Sequence, residues 1–101
     1  MITCYLNYKI APYKLKEFEI YAKKWISLVH KFGGIHHGYF LPHEGTNDMA
    51  VALFSFPSLA IYKIYRIDSF KDKECLEAFE YAAKTKCIIN YERSFMRPIF
   101  K

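Results

Sequence analysis

Proline and glycine are scarce in this chain, with four of each in 101 residues. That scarcity excludes collagen-like repeats and Pro/Gly-rich low complexity. Disorder is excluded as well, because 52% of the residues are hydrophobic and only 25% are charged. No apolar run extends beyond Met49–Phe54, whereas a membrane-spanning helix needs about 20 such residues, so no membrane span is expected. The start, Met1-Ile2-Thr3-Cys4, lacks a basic segment leading into an apolar one, and export by a signal peptide is not expected. Cysteine is also sparse. Cys4, Cys75 and Cys87 are odd in number and form no C-x-x-C spacing, which fits reduced thiols in a cytoplasm. Cys75 and Cys87, read as lying on one helix about 18 Å apart along its axis, cannot bridge each other.

Arginine is the scarce cation. The net charge of +5 comes mostly from lysine, and the arginines are Arg66, Arg93 and Arg97 alone. Arginine supplies the planar fork that reads phosphates and guanines. The lysines alternate with Glu17, Glu19, Glu74, Glu77 and Glu80, as on a solvated helix surface. Nucleic acid is therefore not an expected partner. Sites of covalent chemistry are missing too. No serine or cysteine stands in a G-x-S-x-G context, and Cys4, on an apolar strand face, reads as buried and inert.

What is present is a clear alternation of elements. Ile2–Ile10 has the period of two of a strand. Leu15, Phe18, Ala22, Trp25, Ile26, Val29 and Phe32 recur at helical spacing, with Pro12 near the first turn and Gly33-Gly34 as the stop. Ile35–Leu41 and Met49–Phe56 read as strands around a polar turn. Ser58 caps a short helix over Leu59–Ile67. Asp72 caps another, whose inner face is predicted to carry Leu76, Phe79, Ala82 and Ala83. Ile88–Ile99 carries the last strand, with Pro98 at its end because proline cannot donate in a ladder. The order is β-α-β-β-α-(α)-β over a single domain, 1–101. That is an α+β, ferredoxin-like arrangement: a four-stranded antiparallel sheet with helices on one face. In the third strand Ala50, Ala52, Phe54 and Phe56 form one face, and Val51 and Leu53 lie behind them. Helices can cover one face, so a second copy of the chain is expected to cover the other, as a two-fold homodimer.

Three stretches carry a resemblance. They are Gly33-Gly34-Ile35-His36-His37-Gly38-Tyr39-Phe40, the run from Leu53 through Pro57-Ser58-Leu59 to Tyr62, Tyr65 and Arg66, and Glu92-Arg93-Ser94-Phe95-Met96-Arg97-Pro98. Together they resemble a bacterial NIPSNAP-family protein. The resemblance implies the dimeric α/β-barrel superfamily, in which two such sheets pair face to face. That superfamily includes cofactor-free monooxygenases, isomerases and haem-dependent enzymes. The NIPSNAP branch implies no particular chemistry.

Individual residues narrow the choices. His36 and His37 are adjacent on a strand, point to opposite faces and cannot chelate one metal together. A cluster of His37, His43 and Glu44 would have to cross a turn, and no metal is expected. Either His36 or His37 could serve as an axial haem ligand if it faced inward, but nothing marks a helical ligand, and no cofactor is expected. Met49–Phe56 lacks the basic, Gly-centred aromatic pattern that stacks RNA bases on this fold. The candidate pocket residues are Tyr5, Asn7, Tyr8, His37, Tyr39, Arg93 and Arg97, polar or amphipathic strand side chains with no evident core role. A strand arginine needs an anion, a carboxylate or solvent. These residues point to a small organic ligand with an anionic or carbonyl group. The alternatives are a cofactor-free oxygenase or isomerase that stabilises a phenolate or enolate, and a non-catalytic structural module.

Overall fold

The computed structural model describes residues 1–100; Lys101, the last residue of the expected domain, lies outside them. The elements are β1 (Ile2–Ile10), α1 (Leu15–Lys31), β2 (Ile35–Phe40), β3 (Met49–Phe56), α2 (Leu59–Ser69), α3 (Lys73–Thr85) and β4 (Ile88–Met96). The strands form one antiparallel sheet in the order β2-β3-β1-β4. The first and last strands are therefore neighbours, with Thr3 opposite Met96. This is the ferredoxin-like α+β architecture that the element order predicts.

Residue parity sets the two faces of the sheet. Cys4, Leu6, Tyr8 and Ile10 of β1 and Ala50, Ala52, Phe54 and Phe56 of β3 are buried beneath the helices. Thr3, Tyr5, Asn7 and Lys9 alternate to the outer face, together with Met49, Val51, Leu53 and Ser55. All three helices lie on the inner side, but they cover it unevenly. On the inner side of β4, Tyr91 and Phe95 remain 50% and 42% exposed.

The helices follow their periodicity with some changes of detail. The buried stripe of α1 is Phe18, Tyr21, Ala22, Trp25, Leu28 and Val29. Leu15 is exposed and Ile26 half-buried, because Tyr21 and Leu28 lie closer to the centre of the i, i+3, i+4 face. In α3 the inner face is Cys75, Ala78, Phe79 and Ala82, at steps of three and four. Leu76 and Ala83, expected on that face, are exposed, since each lies one position, about 100°, past the stripe. Cys87 lies beyond the end of α3, not on it, after the left-handed cap at Lys86. The last strand stops at Met96 instead of Ile99, because the residue before Pro98 is already restricted.

Two capping arrangements tie the helix layer together. Ser58 Oγ accepts from Ile61 N–H at 3.2 Å. Asp72 Oδ2 accepts from Cys75 N–H at 3.0 Å, while Asp72 Oδ1 takes Lys31 Nζ of α1 at 2.7 Å. One carboxylate thus starts α3 and docks it to α1. Gly34 marks the closest approach of chain to core, where an added Cβ would lie 2.7 Å from Phe56 Cζ and from Val29 Cγ1. Both neighbours are fully buried and have little room to move. Gly34→Ala is therefore expected to destabilise the fold by about 1–3 kcal/mol, read as a lower urea midpoint with an unchanged m-value.

Candidate functional site

Strict alternation in β2 would send His36 and Tyr39 to opposite faces. Between His36 and Gly38, however, the pairing with β3 slips by one residue. Gly38 holds φ +111°, a region that side chains with a Cβ rarely enter. The extra residue is a β-bulge. It leaves His36 opposite Phe54 and Tyr39 opposite Ala52, on one face. It also brings the Gly38 N–H to His36 Nδ1 at 2.9 Å. With Nδ1 accepting, the neutral ring carries its proton on Nε2. The ring is held flat between Tyr39 and Phe54, with centroids at 4.9 and 5.6 Å.

His36 and Tyr39 form one wall of a cavity of about 320 Å³ between the sheet and the helices. Leu6 and Tyr8 contribute the floor, and Trp25 comes from α1 above. The opposite wall is Tyr91 and Arg93 of β4, the strand that the helices cover only in part. Tyr62, Tyr65 and Arg66, at helical spacing on α2, face the same space. The size suits a small ligand, and the lining is mainly aromatic.

No aspartate or glutamate lines the cavity. Among the described residues, neither Arg66 nor Arg93 has a carboxylate partner. Each guanidinium instead lies against an aromatic ring, Arg66 at 5.1 Å from Phe70 and Arg93 at 5.3 Å from Tyr91. Among the described residues, three buried nitrogens have no hydrogen-bond partner: Trp25 Nε1, His36 Nε2 and Arg93 Nε. All three belong to cavity-lining residues. Buried donors are normally paired, so an orphaned set in one cavity is chemically informative.

Burial sets the charge states. It pushes the phenols of Tyr8 and Tyr39 well above the usual range, with neighbouring tyrosines adding to the effect. Tyr21 rises to about 12, also through burial. Burial, helped by the nearby His30 and His37, lowers His36 to about 4. Near neutral pH these phenols are protonated and the imidazole is uncharged. The cavity therefore offers hydrogen-bond donors and two fixed cations, with no carboxylate or strong base among its walls.

The structure divides the expected pocket residues between the two faces. Tyr8, Tyr39 and Arg93 line the cavity. Tyr5 and Asn7 lie on the outer face, and Arg97 is exposed beyond the end of β4. His37 also faces outward, parted from Tyr39 by the bulge. Its Nε2 lies 2.7 Å from Ser55 Oγ, which lies 2.7 Å from Thr3 Oγ1. Ser55 is 1% exposed, so this set is a closed cross-strand link and not an accessible nucleophile. His37, His43 and Glu44 do not assemble, and among the described residues no three His, Cys, Asp or Glu side chains form a metal site. Reasoning from sequence alone left out Trp25, His36, Tyr62, Tyr65 and Arg66 as pocket residues. Gly38 inside a strand was the available signal for the bulge that places His36 and Tyr39 together.

A four-stranded antiparallel sheet in the order β2-β3-β1-β4 with its helices on one face defines the ferredoxin-like class. Within that class, the NIPSNAP family model matches residues 5–100, and the chain belongs to that family. Among solved structures, protein Atu4242 of Agrobacterium tumefaciens is 19% identical with a TM-score of 0.85, the match covering 99% of this chain and 95% of that one. An uncharacterized NIPSNAP domain protein from Burkholderia xenovorans is 15% identical with a TM-score of 0.78, over 99% and 96% of the two chains. A protein of Nitrosomonas europaea, described provisionally as an antibiotic biosynthesis monooxygenase, is 7% identical with a TM-score of 0.76, over 99% and 100%. No curated protein matches the chain.

The lowered pKa of His36 has a testable sign. Above pH 6.5 the ring is neutral in both the folded and the unfolded chain, and its contribution to stability is complete. As pH falls from 6.5 toward 4 the unfolded chain binds the proton first, so stability declines. Nitrogen-15 NMR of the ring should show an Nε2–H tautomer at pH 7 and a midpoint near 4. A midpoint near 6.5 would contradict this burial.

Proposed function

We propose that this NIPSNAP-family chain is a small-molecule-binding protein whose ligand occupies the cavity between the sheet and its helices. The observation that carries this reading is the cavity itself, about 320 Å³, walled by tyrosines and closed on one side by β4. Space of this size beneath a well-packed helix layer is uncommon, since protein interiors are ordinarily close-packed. Trp25 is the only tryptophan in the chain, so its indole N–H gives a single NMR signal from the cavity wall. Two-ring aromatic probes, 2-naphthalenemethanol and 2-naphthoate, should shift that signal. Ala82→Phe, which fills the space from α3, should abolish the shift while the protein stays folded. No shift with either probe at millimolar concentration would rule out the reading.

A cofactor-free oxygenase or isomerase is the second reading. It is favoured by the fold shared with the Nitrosomonas europaea protein and by donors that could hold a developing oxyanion. In that case the substrate would enter already acidic enough to ionise, since the cavity walls supply no carboxylate or strong base. Turnover of an aerobically incubated phenol or enol, followed by oxygen uptake, separates this reading from simple binding.

The working unit in this proposal is a cytoplasmic homodimer joined through the outer sheet face. Val51, Leu53 and Tyr5 are only half-buried there, and Ile35, Phe40 and Met96 are exposed. A stable homodimer of this kind buries upwards of about 2,000 Å². Sedimentation equilibrium should give twice the 12.0 kDa chain mass. Leu53→Asp, which places a charge in the seam, should yield monomer or aggregate. A wild-type chain that stays monomeric and soluble at micromolar concentration would remove the dimer from this proposal.

A further inference from the structure

We infer that the ligand of this cavity is an anion: an unsaturated ring system whose charged oxygen meets Arg93 and whose remaining acceptor edges meet His36 and Trp25. The inference rests on the cavity being a ligand site, as proposed above, and adds the chemical class of the ligand. Its basis is the orphaned donor set. Trp25 Nε1, His36 Nε2 and Arg93 Nε are buried without partners, and each residue lines the same space. A buried donor left unpaired is costly, and the cost is larger when the group is charged. All three side chains lack an unused acceptor: indole and guanidinium only donate, and His36 has already spent Nδ1 on the Gly38 N–H. A ligand that satisfies them must therefore accept at three places.

The donors stand on three different walls. His36 is on β2 and Arg93 is on β4, at opposite edges of the sheet. Arg93 ends the inner row Tyr39–Ala52–Leu6–Arg93, and His36 begins the adjacent inner row His36–Phe54–Cys4–Phe95. Three strand spacings separate the ends of each row, about 14 Å between backbones. Trp25 comes from α1 above. One small inorganic anion cannot meet all three walls, so a ring-sized body is required. The tyrosines and Phe54 along the walls give that body flat apolar faces to lie on.

Charge selects the anion. The walls hold Arg66 and Arg93, with no aspartate or glutamate. His30 and His37 are the other titratable groups acting on His36, and both are basic. Lys31, the nearby cation of α1, is already committed to Asp72 and Glu74 at 2.7 and 3.0 Å. The unpaired positive charge in the cavity thus belongs to the two arginines. A cationic ligand would meet like charge on these walls, and a neutral one would leave the guanidinium charge of Arg93 without a counter-ion. The rigid, neutral His36 completes the arrangement by offering Nε2–H without asking for a counter-charge.

The test compares isosteric probes by calorimetry and by the Trp25 indole signal. 2-Naphthoate should bind roughly tenfold or more tighter than 2-naphthalenemethanol, the margin expected of a charge-assisted hydrogen bond, and should shift the indole proton. 2-Naphthylmethylammonium should bind weakest. Arg93→Gln should bring the naphthoate affinity close to that of the alcohol and leave the alcohol unchanged, while Arg93→Lys should retain part of the preference. Equal or tighter binding of the alcohol or the ammonium overturns this inference and leaves the cavity reading standing. An equal loss for acid and alcohol in Arg93→Gln also overturns it, because Arg93 would then be acting through packing. If none of the probes moves the Trp25 signal, both readings fall together.

Discussion

The structure depends on a mismatch between a sheet of four strands and a helix layer that only partly covers the last of them. Burial of Phe18, Trp25 and Val29 against the inner faces of β1 and β3 supplies the apolar contact that holds the layers together. Over β4 that contact is thin, with Tyr62 of α2 meeting Phe95 at 4.8 Å between ring centroids. Tyr91, Arg93 and Phe95 face the helix side and still meet solvent. The cavity is the space left by that shortfall, and its chemical character follows from which strand forms the open wall.

Much of this was legible in the sequence, because periodicity reports which residues an element buries. The seven elements, their order and the pairing of β1 with β4 follow from alternation, caps and the split β-α-β rule. Faces are legible by parity until parity fails. His37 and Tyr39 share parity and are grouped together by it, but a single glycine at positive φ moves Tyr39 to the side of His36. In α3, hydrophobicity alone nominates Leu76, whereas the packed stripe runs through Cys75 and Ala78, small residues that allow helices to approach closely. The cavity was not legible, since it arises where three elements distant in sequence fail to touch. Tyr62, Tyr65 and Arg66 read as a patterned helix segment, and only the fold shows that they meet Arg93 across open space.

The electrostatics of the cavity combine uncharged donors with two fixed cations and no carboxylate. Burial holds Tyr8 and Tyr39 protonated and keeps His36 uncharged. A bulged backbone amide fixes the imidazole tautomer, so backbone geometry decides which ring nitrogen faces the cavity. Such preorganised donors cost nothing to arrange when a ligand arrives. If chemistry takes place here, the substrate contributes the reactive electrons and the protein contributes the environment.

The strand order also shapes how the chain acquires its fold. β1 is made first and lies in the interior of the sheet, between β3 and β4. Its second edge stays unpaired until β4, at the far end of the chain, has been made, when Thr3 comes to lie opposite Met96. Such distant pairing carries a loop-closure cost and slows folding. Until it forms, a strand with one fully apolar face presents open amides to any extended neighbour, the ordinary route to edge-to-edge aggregation. The strand that carries Arg93 is thus also the one that pairs the open edge of β1, so the same event completes the cavity wall and removes the misfolding hazard.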